Sequence, residues 1–151
     1  TGWYIPLVWK IVGVAHGRAG YVNKLPNWDL PDYEKFYLGG MNTLRGFDRD
    51  DLAPKEDGSP VGGEKFVQDN FEMKFPLVEE AGVYGILFFD TGAVFSQSES
   101  WEFNKLRESV GPEIRWLSPI GPIRIAYGWV LDPKESDKSN GGFEFSMASS
   151  F

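Results

Sequence analysis

The chain has 151 residues, a formal net charge of −7 and an aromatic share of 16%. This length suits one domain or part of a larger one, and the acidic balance argues against a nucleic-acid-binding groove, which needs a basic surface. The sequence has no cysteine and a single histidine, His16, which excludes disulfides, thiolate metal sites and a histidine metal cluster.

Six segments alternate between apolar and polar residues with a period of two, which predicts β-strands. In chain order they are Val8–Val22, Glu64–Phe75, Val83–Phe95, Glu108–Leu117, Ile123–Leu131 and Gly142–Phe151. No long stretch has the 3.6-residue period of a helix, and no apolar run reaches the length of about 18 to 20 residues that a membrane-spanning helix needs. The chain begins directly on strand-like residues, so we expect it to be part of a longer protein.

The last three predicted strands each have an apolar face and a small, polar or charged face. The apolar faces contain Val110, Pro112, Ile114 and Trp116, then Ile123, Ile125, Tyr127 and Trp129, then Phe143, Phe145, Met147 and Phe151. A soluble β-sandwich and a transmembrane β-barrel both show such alternation. Aromatic residues near the strand ends favour the barrel, whose aromatic girdles lie at the membrane interfaces.

The predicted connections alternate between long and short. The long ones are Asn23–Gly63, Ser96–Arg107 and Asp132–Gly141, and the short ones are Pro76–Gly82 and Ser118–Pro122. Outer-membrane barrels have long extracellular loops and short periplasmic turns, so we expect the long loops to be extracellular. We therefore predict an all-β, antiparallel fold that forms part of a transmembrane barrel. The alternative is a soluble β-sandwich that binds carbohydrate through exposed Trp and Tyr.

The long loop contains the sequence FYLGGMNTLRGF, Phe36 to Phe47, with a lone arginine at position 45. A buried guanidinium needs carboxylate partners. Alternation in the second and third strands places Glu72 and Asp90 on the inward face, so we expect a cluster of Arg45, Glu72 and Asp90.

Glycines flank this arginine on both sides. Gly39 and Gly40 indicate turns with positive φ, whereas Gly46 indicates close packing of the loop. Two apolar residues of the third strand would also point inward and pack against the loop, with Phe47 as their expected partner. These residues are Ile86 and Phe88.

Taken together, these motifs resemble the barrel domain of the Omp85 superfamily, which includes the bacterial surface antigens. Leu44-Arg45-Gly46-Phe47 resembles the Arg-Gly motif of the sixth extracellular loop, with Leu44 in place of the usual β-branched residue. The segments NFEMKFP, FFDTGAVF, VGPEIRWLSPIGPIRIAYGWVL and FEFSMASSF resemble the strands that follow, in family order. The resemblance covers nearly the whole chain.

The resemblance implies that the predicted strands are the last six of a sixteen-stranded barrel, with residues 1–151 as its C-terminal part and 23–63 as a long extracellular loop. It implies the outer membrane of a Gram-negative bacterium and a non-enzymatic role, without cofactor or metal, in inserting outer-membrane proteins. The implied partners are membrane lipids, nascent outer-membrane proteins and assembly lipoproteins, with no nucleic acid. Other family members are alternatives: a TamA-like factor, a two-partner secretion transporter or a patatin-linked barrel.

The resemblance also implies two sites. The arginine motif would anchor the loop inside the barrel, with Glu72 and Asp90 as its lumenal partners. The last strand would close the barrel at a lateral seam, through Phe143, Phe145, Met147 and Phe151. Because an edge strand has unpaired N–H and C=O groups, we expect the isolated chain to self-associate through its exposed sheet edges.

Overall fold

The protein forms one antiparallel β-sheet with a long loop packed on one of its faces. The structure is a computed structural model that describes residues 1–23, 30–134, 137 and 140–147. The strands of the main sheet are β1 (Gly2–Pro6), β2 (Val12–Tyr21), β5 (Lys65–Val78), β6 (Val83–Phe95), β7 (Arg107–Ser118), β8 (Gly121–Val130) and β9 (Gly141–Met147). A small hairpin of β3 (Lys55–Glu56) and β4 (Ser59–Pro60) lies within the long loop.

The main sheet has the strand order β1-β2-β5-β6-β7-β8-β9, so neighbours in the sheet follow one another along the chain apart from the loop hairpin. β1 and β9 are its edges, and the barrel is therefore not closed within this chain. The prediction of an all-β antiparallel fold is confirmed. The helical content of the described residues consists of single 3₁₀ turns at Asp32–Glu34 and Phe103–Lys105. In the part of the chain that the structure describes, no helix is long and apolar enough to cross a membrane.

The first predicted strand, Val8–Val22, is wrong at its start, because the structure has a hairpin there. β1 and β2 pair as antiparallel neighbours. The turn between them has Trp9 at φ 56° and Lys10 at φ 63°, both in the left-handed region. Two-residue hairpin turns of this kind are usually made by Asn and Gly, so a Trp-Lys pair gives no turn signal. The main sheet consequently has seven strands rather than six.

The other strands lie close to their predicted positions. β6 coincides with the predicted Val83–Phe95, whereas β5 continues three residues past the predicted end at Phe75. A register shift between Pro76 and Val78 accompanies this extension. The last predicted strand corresponds to β9, and Phe151 lies outside the described residues.

The long loop has more structure than the sequence analysis predicted. Its hairpin turns at Asp57 and Gly58, which have φ values of 49° and 80°. Asp-Gly is a favoured pair in such turns, so the sequence contained a signal for this hairpin. The alternation of connection lengths is confirmed: long connections follow β2, β6 and β8, and short turns follow β1, β5 and β7. In an antiparallel sheet this places all long loops at one rim.

The face of the sheet that points away from the loop, the outer face, is apolar and exposed. Its exposed side chains include Phe71, Met73, Leu87, Ile114, Trp116, Ile125, Trp129, Phe143, Phe145 and Met147. No other described part of the chain forms a second sheet over this face. A soluble sandwich would bury such a surface between two sheets, so the arrangement is that of a barrel wall.

The opposite, inner face contacts the loop through two separate apolar clusters. The first contains Leu38, Leu44, Phe47, Val94 and Val130. The second contains Met41, Ile86, Phe88 and Ala126. The expectation that Phe47 packs with Ile86 and Phe88 is therefore wrong, because the loop crosses the sheet and places Phe47 nearer the rim of the long loops.

Candidate functional site

A tight turn delivers the arginine motif to the inner face. Gly39 and Gly40 have φ values of 131° and 91°, as the turn expectation required. The Gly39 N–H donates to Thr43 Oγ1 at 2.8 Å, and the Gly40 N–H donates to the Leu44 carbonyl at 3.0 Å. These bonds fold residues 39–44 back on themselves, so that the next residue, Arg45, points into the sheet.

Arg45 forms a two-point ion pair with Asp90 on β6. Nε donates to Oδ2 and Nη2 donates to Oδ1, each at 2.7 Å. The backbone N–H of Arg45 also donates to Oδ2, at 3.0 Å. Arg45 and Asp90 are 2% and 0% exposed. Both the charge and the geometry of the carboxylate therefore hold this part of the loop against β6.

Two further carboxylates complete the coordination of the guanidinium. Nη1 of Arg45 donates to Glu72 Oε1 on β5 at 2.8 Å and to Glu113 Oε2 on β7 at 2.6 Å. The structure thus brings together the two acids named from the sequence and adds Glu113. Strand alternation in the sequence places Glu113 on the inward face of β7. This pattern does not indicate that the loop extends far enough for Arg45 to reach Glu113.

Two more arginines keep the cluster close to electrically neutral. Arg115 on β7 and Arg124 on β8 each donate through Nε to Glu113 Oε1 at 2.8 Å. Arg115 also pairs with Glu72 at 3.2 Å. Three arginines therefore face the three carboxylates of Glu72, Asp90 and Glu113. Burial of one unpaired charge is costly, and this mutual pairing offsets that cost.

The guanidinium also lies over an aromatic ring. The Arg45 Cζ atom is 3.8 Å from the centroid of the Phe88 ring, a cation–π geometry. Burial lowers the pKa of Arg45, but the hydrogen bond and charge of Asp90, with the charges of Glu72 and Glu113, raise that pKa above its ordinary value. Arg45 is a permanent cation in this site.

Amide side chains of β5 hold the turn that precedes the arginine. Asn70 Nδ2 donates to the Thr43 carbonyl at 2.7 Å and to Asp90 Oδ1 at 2.8 Å. Gln68 Nε2 donates to the same Thr43 carbonyl at 3.3 Å. Asn70 therefore joins the loop backbone to the main carboxylate of the site.

Gly46 brings the loop backbone into direct contact with β8. A Cβ atom at Gly46 would lie 2.9 Å from the carbonyl carbon of Gly128, and one at Gly128 would lie 2.6 Å from the Gly46 Cα atom. Gly46 also has a φ of 89°, so it is a turn former as well as a close-packing residue. Its N–H donates to Glu144 Oε1 on β9. Strand alternation places Gly128 and Glu144 on the polar faces of their strands, but it does not distinguish them from their neighbours.

Phe47 continues the docked segment toward the rim of the long loops. Its ring lies 5.1 Å from the guanidinium carbon of Arg107 on β7. Arg107 in turn donates to Asp137 Oδ1 at 3.0 Å and to the Asp132 carbonyl at 2.7 Å. Burial raises the pKa of Asp137, but the hydrogen bonds from Arg107 lower it below its usual value. A second charged group thus packs beside the anchor motif.

The closing strand named from the sequence lies at the edge of the sheet. Phe143, Phe145 and Met147 are exposed on the outer face of β9, and Phe151 lies outside the described residues. β9 pairs with β8 along one side. Within the described ranges, no three or more His, Asp or Glu side chains are grouped so that they could hold a metal ion.

Comparison with known proteins gives one family. The model of the Omp85 superfamily domain matches residues 1–151. The chain is 36% identical over 144 residues to the outer membrane protein assembly factor BamA of Nitratidesulfovibrio vulgaris, which covers 91% of this chain and 18% of that protein. It is 27% identical over 182 residues to BamA of Neisseria meningitidis serogroup B, which covers 99% of this chain and 23% of that protein.

A solved structure agrees with these sequence matches. The crystal structure of BamA from Haemophilus ducreyi lacking POTRA domains 1–3 superposes with a TM-score of 0.81 at 25% identity. The match covers 95% of this chain and 32% of that one. The chain spans about a fifth of the length of the curated relatives it matches.

Proposed function

Because the chain belongs to the Omp85 superfamily, we propose that it is the C-terminal part of an outer-membrane barrel that assembles and inserts other outer-membrane proteins. Its location is the outer membrane of a Gram-negative bacterium. The observation that carries the proposal is the 36% identity to a BamA protein over 91% of the chain. The proposed work is non-enzymatic, since it consists of binding and pairing strands and not of breaking bonds.

In this proposal residues 1–151 form the C-terminal part of the barrel wall, with the long loop of residues 23–63 entering from the extracellular rim. Leu44, Arg45, Gly46 and Phe47 are the anchor motif of that loop, and Glu72 and Asp90 are its lumenal partners. The Arg45 guanidinium donates hydrogen bonds to carboxylates on three adjacent strands, β5, β6 and β7, and this supports an anchoring role.

The outer face supports contact with membrane lipids, because its exposed side chains are aromatic and aliphatic. The edge strand β9 supports contact with an incoming strand of a nascent outer-membrane protein, because backbone groups along a sheet edge accept new pairing. Lipoproteins of an assembly complex are proposed partners of the whole protein.

The test is reconstitution of the full-length protein that contains this chain into lipid vesicles, followed by addition of an unfolded outer-membrane protein. We expect faster folding of the client into the bilayer than in protein-free vesicles. Equal folding rates would contradict the proposal. A client that crosses into the vesicle interior, without folding into the bilayer, would instead indicate a secretion transporter of the same superfamily.

A further inference from the structure

Glu144 joins the edge strand of the sheet to the docked loop. It lies on the inner side of β9, and its Oε1 atom accepts a hydrogen bond of 2.5 Å from the backbone N–H of Gly46. Gly46 is buried, so this N–H would lose its partner if β9 moved away. A buried donor without an acceptor carries the full cost of its desolvation. We propose that Glu144 is a positioning residue that holds β9 against the anchored loop.

The position of β9 at the edge of the sheet makes a contact on its inner side important for its stability. It is the last strand of the sheet, paired with β8 on one side and with no described strand on the other. Its large side chains, Phe143 and Phe145, are exposed on the outer face and do not pack into the loop core. Strands at sheet edges open more readily than central ones, so one strong polar contact on the inner side changes their stability noticeably.

Gly46 is a firm point of attachment because its neighbours are fixed. Arg45 is paired at two points with Asp90 on β6, and Gly46 itself packs on the backbone of Gly128 on β8. The hydrogen bond to Glu144 therefore connects β9 to two interior strands through the loop, in addition to the β8–β9 ladder. Loop docking and edge-strand position are coupled through this bond.

Glu144 would position β9 whether or not the protein assembles clients, so its role can be tested without a client protein. The experiment is amide hydrogen exchange on the full-length protein in lipid nanodiscs, resolved for the β9 segment and for loop residues 40–47. Glu144→Ala removes the acceptor, whereas Glu144→Gln keeps an oxygen that can accept the Gly46 N–H. Ser146→Ala is the matched control, because it truncates a side chain on the same face of the same strand.

We expect Glu144→Ala to raise exchange in β9 by about tenfold or more, as for loss of one hydrogen bond to a charged group. Glu144→Gln should stay within about threefold of the parent protein, and Ser146→Ala should not differ from it. Since Arg45→Ala already releases Gly46, adding Glu144→Ala to it should give no further increase.

Three results would overturn the proposal. They are unchanged β9 exchange in Glu144→Ala, equal exchange in the Gln and Ala variants, and additive effects of Arg45→Ala and Glu144→Ala. Should Glu144→Ala fail to insert, Glu144→Asp provides the same comparison. This variant keeps the charge on a shorter side chain that no longer reaches the Gly46 N–H, so we expect faster amide exchange in β9. An unchanged exchange rate in β9 would count against the proposal.

Discussion

Arg45 and Asp90 form a two-point ion pair, 2.7 Å at each contact, between a loop and a strand that are 45 residues apart in sequence. Both side chains are buried, and the same carboxylate also accepts the Arg45 backbone N–H. Removal of one partner from a buried pair leaves an uncompensated charge, which costs about 3–5 kcal/mol. The loop is therefore anchored to β6 at this point.

Replacement of Arg45 should release the loop. We expect Arg45→Ala to increase the protease sensitivity of residues 36–47 in the full-length protein, and Arg45→Lys to give only partial recovery, because an ammonium cannot form the two-point pair. The measurement is limited proteolysis in outer-membrane preparations. Arg49→Ala is the control, since Arg49 lies exposed in the same loop. Equal sensitivity of Arg45→Ala and the parent protein would contradict this prediction.

The close contact between Gly46 and Gly128 predicts that a bulkier residue at position 128 also releases the loop. Gly128→Ala would place a methyl group 2.6 Å from Gly46 Cα, closer than such atoms can approach, so we expect it to displace the loop while β8 stays paired. Gly142→Ala is the matched control, because Gly142 pairs with Gly128 in the ladder and its added Cβ would meet nothing within 4 Å. Equal protease sensitivity of the loop in Gly128→Ala and Gly142→Ala would show that the packing of Gly46 on Gly128 does not hold the loop in place.

The connection between β6 and β7 should lose order in acid. The pKa of Glu99 is lowered from 4.5 to about 2 by the backbone N–H of Ser96 and by the ammonium of Lys105. A depressed carboxyl pKa stabilises the folded loop above the unfolded value near 4.5, and this contribution is lost as the pH falls toward 2.

Carbon NMR of the Glu99 carboxyl group should give this low pKa directly, and Glu99→Gln should remove the corresponding pH dependence of loop order. Glu80→Gln, at an exposed position in a short turn, is the control. A midpoint near 4.5 for Glu99 would contradict the prediction.

The isolated 151-residue chain should not remain a monomer in water. β1 and β9 are both exposed edges, and the outer face presents aromatic and aliphatic side chains such as Phe145 and Leu87. Exposed edges and large apolar patches both favour association. We expect oligomers at micromolar concentration without detergent by size-exclusion chromatography with light scattering. A stable, folded monomer under these conditions would show that the outer face does not require lipid.

Strand alternation and the needs of a buried charge were sufficient to name Arg45 with Glu72 and Asp90 from the sequence. Glu72 lies on the inward face of a regularly alternating strand. The strand of Asp90 alternates less regularly, because Ile86 and Phe88 point inward as well, and an arginine in a long loop is by itself usually solvated. The two acids together made a buried Arg45 the better interpretation. The family motifs added the expectation that the loop enters the barrel. The sequence thus contained the elements of the site and the face that holds them.

The remaining features depend on the path of the loop, which the pattern does not encode. Glu113 and Glu144 occupy inward positions like many other residues, and only the docked loop selects them as partners of Arg45 and Gly46. Phe47 was placed with the wrong apolar cluster for the same reason. The β1–β2 hairpin was missed because Trp9 and Lys10 are unusual residues for a turn with two positive φ values.

The most direct test of loop anchoring is a double-mutant cycle on Arg45 and Asp90 in the full-length protein, with the free energy of loop opening measured by hydrogen exchange in a bilayer. We predict that Arg45→Ala and Asp90→Ala each destabilise the docked loop by about 3 kcal/mol, and that the double variant is little worse than either single variant. Strictly additive effects, or single variants that leave loop exchange unchanged, would contradict the conclusion that this pair anchors the loop.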